Sequence, residues 1–170
     1  MHIFLTGEIQ IGKTTIIKKT LFLLSKKEGG FCTYFGLDRE MPNRWLYMND
    51  ASLPNIYQKD HAVACFHAGY APLTLIDQFD VFGAELIRKA KDKADIIIMD
   101  ECGSLEEEAF CFQEEVLNAL DGDIPVFGVI KLSSTGWTEK IRSHPKVKLF
   151  FVTKENRDAL PEKIAREFSV

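Results

Sequence analysis

Gly7-Glu8-Ile9-Gln10-Ile11-Gly12-Lys13-Thr14 matches the pattern G-x-x-x-x-G-K-[ST], and its reading decides the fold. Before it, His2-Ile3-Phe4-Leu5-Thr6 reads as a buried strand; after it, Thr15 to Leu24 reads as a helix. A strand, a glycine-bounded loop and a helix start form the context of a phosphate-binding loop. A polyphosphate needs a concave set of N–H donors, and the first turn of a helix has such groups with no partner of their own. Gly7 and Gly12 let the backbone curl where a Cβ would obstruct. The pattern assigns Lys13 to the β- and γ-phosphates and the Thr14 hydroxyl to Mg²⁺.

Outward from the loop, strand-like and helical stretches alternate. Strand runs are expected at Ile3–Thr6, Phe31–Leu37, Ala62–Phe66, Asp95–Met99, Ile124–Ile130 and Val147–Thr153. Leu75, Ile76, Phe79, Phe82, Leu86, Ile87 and Ala90 recur at helical spacing. A further helix is expected from Leu105 to Leu120, closed by Asp121-Gly122, and a last one from Ala159 to Phe168 with Pro161 in its first turn. Ile96-Ile97-Ile98-Met99 is continuously apolar, as for a strand covered on both faces. The alternation predicts an α/β fold, a doubly wound and mainly parallel sheet flanked by helices, with its site at the strands' carboxyl ends. Residues 1–170 are expected to form one domain. The stretch Asp38–Thr74, with Arg39, Arg44, Trp45, Tyr47, Tyr57 and Tyr70, reads as a short hairpin with irregular loops. It could serve as a lid, an acceptor site or a cap on a sheet edge.

The second half of the site is Ile96-Ile97-Ile98-Met99-Asp100-Glu101, an apolar strand ending in two carboxylates. Downstream of a phosphate-binding loop this is the Walker B pattern. Asp100 is expected to hold Mg²⁺ opposite Thr14, and Glu101 to orient the attacking water or take its proton. In the turn that follows, Ser104 and Glu107 have the spacing of a capping box, and Glu108 suits the first turn of a helix dipole. Glu106 is open between the nucleotide pocket and the helix. Lys131 and Arg157 arrive at the carboxyl edge as candidates for charge stabilisation or base stacking. Asp158 is expected to N-cap the last helix.

The chain has 170 residues, a formal net charge of −4 and four cysteines without C-x-x-C spacing. No bulk basic field draws in nucleic acid, which argues against it as the main partner. Cys32, Cys65, Cys102 and Cys111 read as free thiols of a reducing compartment rather than a zinc site. His2, His61, His67 and His144 lack ligand spacing. No run suits a signal peptide or a membrane span, so the expectation is a cytoplasmic chain without a membrane partner. No motif identifies a protein partner.

The sequence resembles the small nucleoside-triphosphatase family described as cancer-related or thermophile (THEP-type). The resemblance rests on Gly7 to Thr15, on Met99-Asp100-Glu101-Cys102-Gly103-Ser104-Leu105-Glu106, and on Val152-Thr153-Lys154-Glu155-Asn156-Arg157-Asp158-Ala159-Leu160-Pro161, with support from Pro125 to Lys131. It implies one α/β domain and slow Mg²⁺-dependent hydrolysis of ATP, GTP and other nucleoside triphosphates to diphosphate and phosphate. It further implies that Gly7, Glu8, Ile9, Gln10, Ile11, Gly12, Lys13, Thr14 and Thr15 bind phosphates. Asp100 and Glu101 would serve metal and water, and Asp100, Glu101, Cys102, Gly103, Ser104, Leu105 and Glu106 would line the nucleotide. One departure matters: that family often carries Lys where this chain has Ser104. Positive charge would then come from Lys131 or Arg157, or turnover would be slower.

Two other readings are weighed against hydrolysis. A small-molecule or nucleotide kinase would use 38–74 for its acceptor, yet only Arg39 and Arg44 lie there to hold one. A nucleotide-dependent switch or assembly protein would read its base; Thr153-Lys154-Glu155-Asn156 faintly resembles a guanine-reading motif, with Asn156 where a carboxylate would pair.

Overall fold

Eight strands form one sheet in the order β5-β4-β3-β2-β6-β7-β1-β8. In chain order they are β1 His2–Thr6, β2 Glu28–Phe35, β3 Arg44–Asp50, β4 Ala62–Phe66, β5 Leu73–Thr74, β6 Ile96–Cys102, β7 Val126–Ile130 and β8 Val147–Phe151. The computed structural model describes Met1–Ser169. From β2 to β8 every neighbour is parallel; from β2 outward to β5 every neighbour is antiparallel. The fold is the doubly wound, mainly parallel α/β fold read from the alternation of strands and helices. Residues 38–74, ambiguous in sequence, supply the antiparallel edge.

Strand periodicity places the core. Successive side chains point to opposite faces, so Phe4 joins one cluster with Phe31, Met48, Ile97, Met99 and Phe112. Ile3 and Leu5 join the other with Ile16, Ile96, Ile98 and Ile164. Helices cover both faces: α1 Lys13–Leu24 and α5 Leu160–Glu167 on one, α2 Ala84–Lys93, α3 Phe110–Asp121 and α4 Thr138–Arg142 on the other. This is why Ile96 to Met99 shows no polar alternation.

Several boundaries differ from the sequence reading. The helical spacing from Leu75 to Ala90 resolves into a π-helical turn, Gln78–Gly83, running into α2. The helix expected over Leu105–Leu120 is two pieces: a 3₁₀ turn Ser104–Glu106, then α3 from Phe110. Only half of a capping box forms, one residue earlier than expected, because Gly103 at the N-cap has no side chain to bond in return. Glu106, not Glu107, reaches back, accepting the Gly103 N–H at 2.8 Å. Asp158 does not cap the last helix: α5 begins after Ala159 with no side-chain cap, and Pro161 sits in its first turn. The expected strand Phe31–Leu37 starts earlier, at Glu28, and ends at Phe35.

Candidate functional site

The loop after β1 is built around two glycines with left-handed backbone, Gly7 at φ 149° and Gly12 at φ 108°. A Cβ on Gly7 would stand 2.7 Å from the Val152 carbonyl oxygen, so the loop is seated directly on the end of β8. Gly12 has open space where a Cβ would point, at the mouth of the loop. Helix α1 starts at Lys13 with no side-chain cap, which leaves the N–H groups of its first turn facing that mouth. Lys13 is buried, and its Nζ donates to the Gly7 and Glu8 carbonyls at 2.9 and 2.7 Å. Burial pulls its pKa down, against the pull of Glu101, Asp100 and Glu8. Glu8, Ile9, Gln10, Thr14 and Thr15 are exposed at the same edge, while Ile11 packs into the core.

Strand β6 delivers the acids. The Thr14 hydroxyl donates to Asp100 Oδ2 at 2.8 Å, across 86 positions of sequence. Burial pushes the Asp100 carboxyl up to about 6, partly offset by that hydrogen bond. Glu101 is also raised by burial, with Lys13 and Lys131 opposing. The Thr33 hydroxyl on β2 donates to the Asp100 carbonyl at 3.3 Å. Beside Glu101 lies a cleft of about 30 Å³, lined by Thr33, Leu46, Ser104, Leu105, Glu106 and Lys131.

The turn after β6 is held from three sides. Glu106 Oε2 accepts from Gly103 N–H, Trp137 Nε1 donates to Gly103 C=O at 2.8 Å, and Lys131 N–H donates to Cys102 C=O at 2.9 Å. Glu106 is almost fully buried, and burial pushes its carboxyl up to about 8. Cys102, also buried, has its thiol held well above the ordinary range by the same desolvation. Ser104 is exposed and Leu105 half-buried.

Two sequence candidates sit on the loop after β8. Arg157 Nη1 reaches the Ile11 carbonyl at 3.4 Å, so its guanidinium lies against the phosphate-binding loop. Asn156 is engaged locally instead: its side chain accepts from Thr153 N–H at 2.9 Å and donates to the Phe151 carbonyl at 2.9 Å. The amide braces the turn. Lys131 follows β7 half-buried, its stem alongside Gly103.

Sequence reasoning missed Thr33, Leu46 and Trp137. Thr33 sits in a run flagged only as strand, and Trp137 follows Gly136 in a stretch given no element. A surface groove of about 520 Å³ along Ala159, Glu162, Lys163, Arg166 and Glu167 contains none of the motif residues.

A hydroxyl and a carboxylate oxygen brought together are hard donors of the kind Mg²⁺ takes, and they leave its other positions to water and substrate phosphate. Among the described residues no group of three or more His, Cys, Asp or Glu side chains could cage a metal. The Thr14–Asp100 pair therefore fits an ion completed by a bound polyphosphate.

The family model described as NTPase matches residues 2–165. The chain belongs to the NTPase family. The nucleoside-triphosphatase THEP1 of Thermofilum pendens is 33% identical, over 99% of this chain and 95% of its own. That of Methanocaldococcus jannaschii is 31% identical, over 96% and 95%. For the fold, the crystal structure of THEP1 from Aquifex aeolicus superposes with a TM-score of 0.80 at 23% identity, covering 100% of both chains. The solution structure of a human cancer-related nucleoside triphosphatase gives 0.64 at 23% identity, covering 97% of this chain and 95% of its own. In this NTPase, the Gly7–Thr14 loop, Asp100, Glu101 and Arg157 lie around the carboxyl ends of β1, β6 and β8.

Proposed function

We infer that the protein is a Mg²⁺-dependent nucleoside-triphosphate phosphohydrolase, converting ATP, GTP and other nucleoside triphosphates to diphosphate and phosphate. The observation that carries the reading is the Thr14–Asp100 hydrogen bond beside Glu101, directly across the mouth of the Gly7–Thr14 loop. The loop's N–H groups and Lys13 would receive the β- and γ-phosphates once Lys13 leaves the Gly7 and Glu8 carbonyls. Thr14 and Asp100 would hold the Mg²⁺, which when bound neutralises phosphate charge. Cys102, Gly103, Ser104 and Leu105 would border the nucleotide as the loop beyond Glu101.

Glu101 is suited to the proton transfer. Its raised pKa makes it a stronger base than an exposed glutamate. Water oxygen would bond to the γ-phosphorus as the bridging oxygen departs with the diphosphate, and the water's proton would pass to the carboxylate. A cleft of about 30 Å³ beside Glu101 has room for the attacking water, which suits hydrolysis. Asn156, committed to its own turn, supports broad acceptance of bases rather than a guanine-reading switch. The four unbridged thiols suit a reducing cytoplasm. No helix among the described residues is long and apolar enough to cross a membrane.

Phosphate release tests the reading. With Mg²⁺ and a panel of nucleoside triphosphates, wild type should release phosphate and Lys13→Ala should not. Glu101→Gln should bind nucleotide in calorimetry yet turn over about 10²-fold or more slowly. Wild-type turnover in Glu101→Gln would remove Glu101 from the role.

A further inference from the structure

The turn that follows Glu101 at the end of β6 is held by buried side chains. Gly103 follows the acid by two residues, and its peptide is bonded at both ends by buried side chains. The N–H donates to Glu106 Oε2 and the C=O accepts from Trp137 Nε1, each at 2.8 Å. Glu106 and Trp137 are 2% and 3% exposed, so neither bond is shared with solvent. Behind Glu106 a second layer follows. Gln113 Nε2 from α3 donates to the Glu106 and Glu107 carbonyls at 2.6 and 2.8 Å, which pins the 3₁₀ turn to the helix.

A loop end with ordinary solvent exposure would let a glutamate side chain swing. Catalysis of water attack does not tolerate that, since about 1 Å of misplacement can cost on the order of 10²-fold in rate. We propose that Glu106 and Trp137 are positioning residues that clamp the Gly103 peptide and thereby aim the Glu101 carboxylate into its cleft. Glu106 is thus withdrawn from the nucleotide contacts that the motif suggests. It acts through the backbone, and Trp137 carries the α4 segment into the same task. The proposal rests on the reading of Glu101 as the group that meets the water.

The test is steady-state phosphate release with Mg²⁺–ATP, combined with nucleotide affinity and thermal unfolding, on Glu106→Leu, Glu106→Gln and Trp137→Phe. Leucine removes the acceptor, glutamine keeps one, and phenylalanine keeps the ring without its donor. We expect kcat to fall about 10- to 100-fold in Glu106→Leu and Trp137→Phe, with KM and nucleotide Kd within about twofold. Glu106→Gln should recover to within about threefold of wild type. In a Glu101→Gln background, Glu106→Leu should cost no more than about a further twofold, because the group it aims is already disabled. Unchanged kcat in both folded single variants, equal losses with and without Glu101, or loss of nucleotide affinity in step with kcat would each overturn the proposal. If Glu106→Leu does not fold, Trp137→Phe decides it by the same readouts. Should Glu101→Gln itself turn over normally, the base assignment fails independently of whether the clamp exists.

Discussion

The Thr14 hydroxyl and the Asp100 carboxylate meet at 2.8 Å, joining the helix that follows the phosphate-binding loop to the strand that carries two adjacent acids. Strand β7 stands between β1 and β6, so the contact is made above the sheet by the first turn of α1 reaching over. The pair is arranged before any ion arrives. Thr14→Val keeps the shape and removes the oxygen. It should raise the Mg²⁺ concentration for half-maximal phosphate release by about 10- to 100-fold, with little change in thermal stability. A magnesium titration of the rate measures this, and an unchanged midpoint would remove Thr14 from the ion.

The two loop glycines should fail differently. Gly7→Ala forces a side chain into positive φ and against the Val152 carbonyl, whereas Gly12→Ala meets only the backbone strain. Strain at such a residue costs about 1–3 kcal/mol. Gly7→Ala should therefore lower the melting temperature by several degrees more than Gly12→Ala. Gly12→Ala should instead lose nucleotide affinity, because its new methyl occupies the mouth of the loop. Unfolding with and without nucleotide separates the two, and equal melting temperatures in the absence of nucleotide would contradict the seating of Gly7 on β8.

Contiguous motifs made half of the candidate site legible. Gly7–Thr14 and Ile96–Glu101 are each read from a few adjacent residues, and the structure brings Thr14 and Asp100 of the two together. What depends on the turn between elements was not legible. Leu105, Ala109, Phe112 and Val116 keep helical spacing because all of them face the α2/α3 side of the core. That continuity hides the break between Ser104–Glu106 and Phe110. With the break hidden, the capping acid was assigned to Glu107 and the burial of Glu106 went unseen. Asn156 was open for a related reason. Its position after β8 suggests a base reader, but whether an amide faces a ligand or its own backbone is set by loop geometry. The antiparallel edge from β3 to β5 was half visible, since its strands are short and interrupted by polar loops.

Glu106 gives a pH dependence with a definite sign. Burial places its folded pKa at about 8, above the value near 4.3 of an unfolded glutamate. The folded state then holds a proton that the unfolded state gives up between those two values. Stability contributed by this group is greatest below about pH 4, falls as pH rises through the window to about 8, and is level above it. Glu106→Gln removes the effect. Its melting temperature in chelator should match wild type near pH 4 and exceed it by several degrees or more at pH 9, since each unit of raised pKa is about 1.4 kcal/mol. A parallel offset at every pH would mean that the buried carboxyl does not titrate in this range.

Transition-state charge is the last question the site poses. Ser104 stands where the resembling family often has lysine, and it shares the Glu101 cleft with Lys131. Lys131 is half-buried, lies alongside Gly103, and acts on both Glu101 and Glu106 through its charge. No carboxylate among the described residues lies within 4.0 Å of its ammonium. Arg157 instead reaches the Ile11 carbonyl of the loop at 3.4 Å. Charge at the γ-phosphate should therefore come from Lys131, while Arg157 should serve binding. Lys131→Met is expected to lower kcat about 10-fold or more with nucleotide affinity nearly unchanged, and Arg157→Met to weaken affinity more than kcat. Ser104→Lys added to Lys131→Met should recover most of the lost rate, since Ser104 and Lys131 line the same cleft. If the double variant stays as slow as Lys131→Met while remaining folded, a cation in that cleft is not what the reaction requires, and Lys131 acts only through its packing on Gly103.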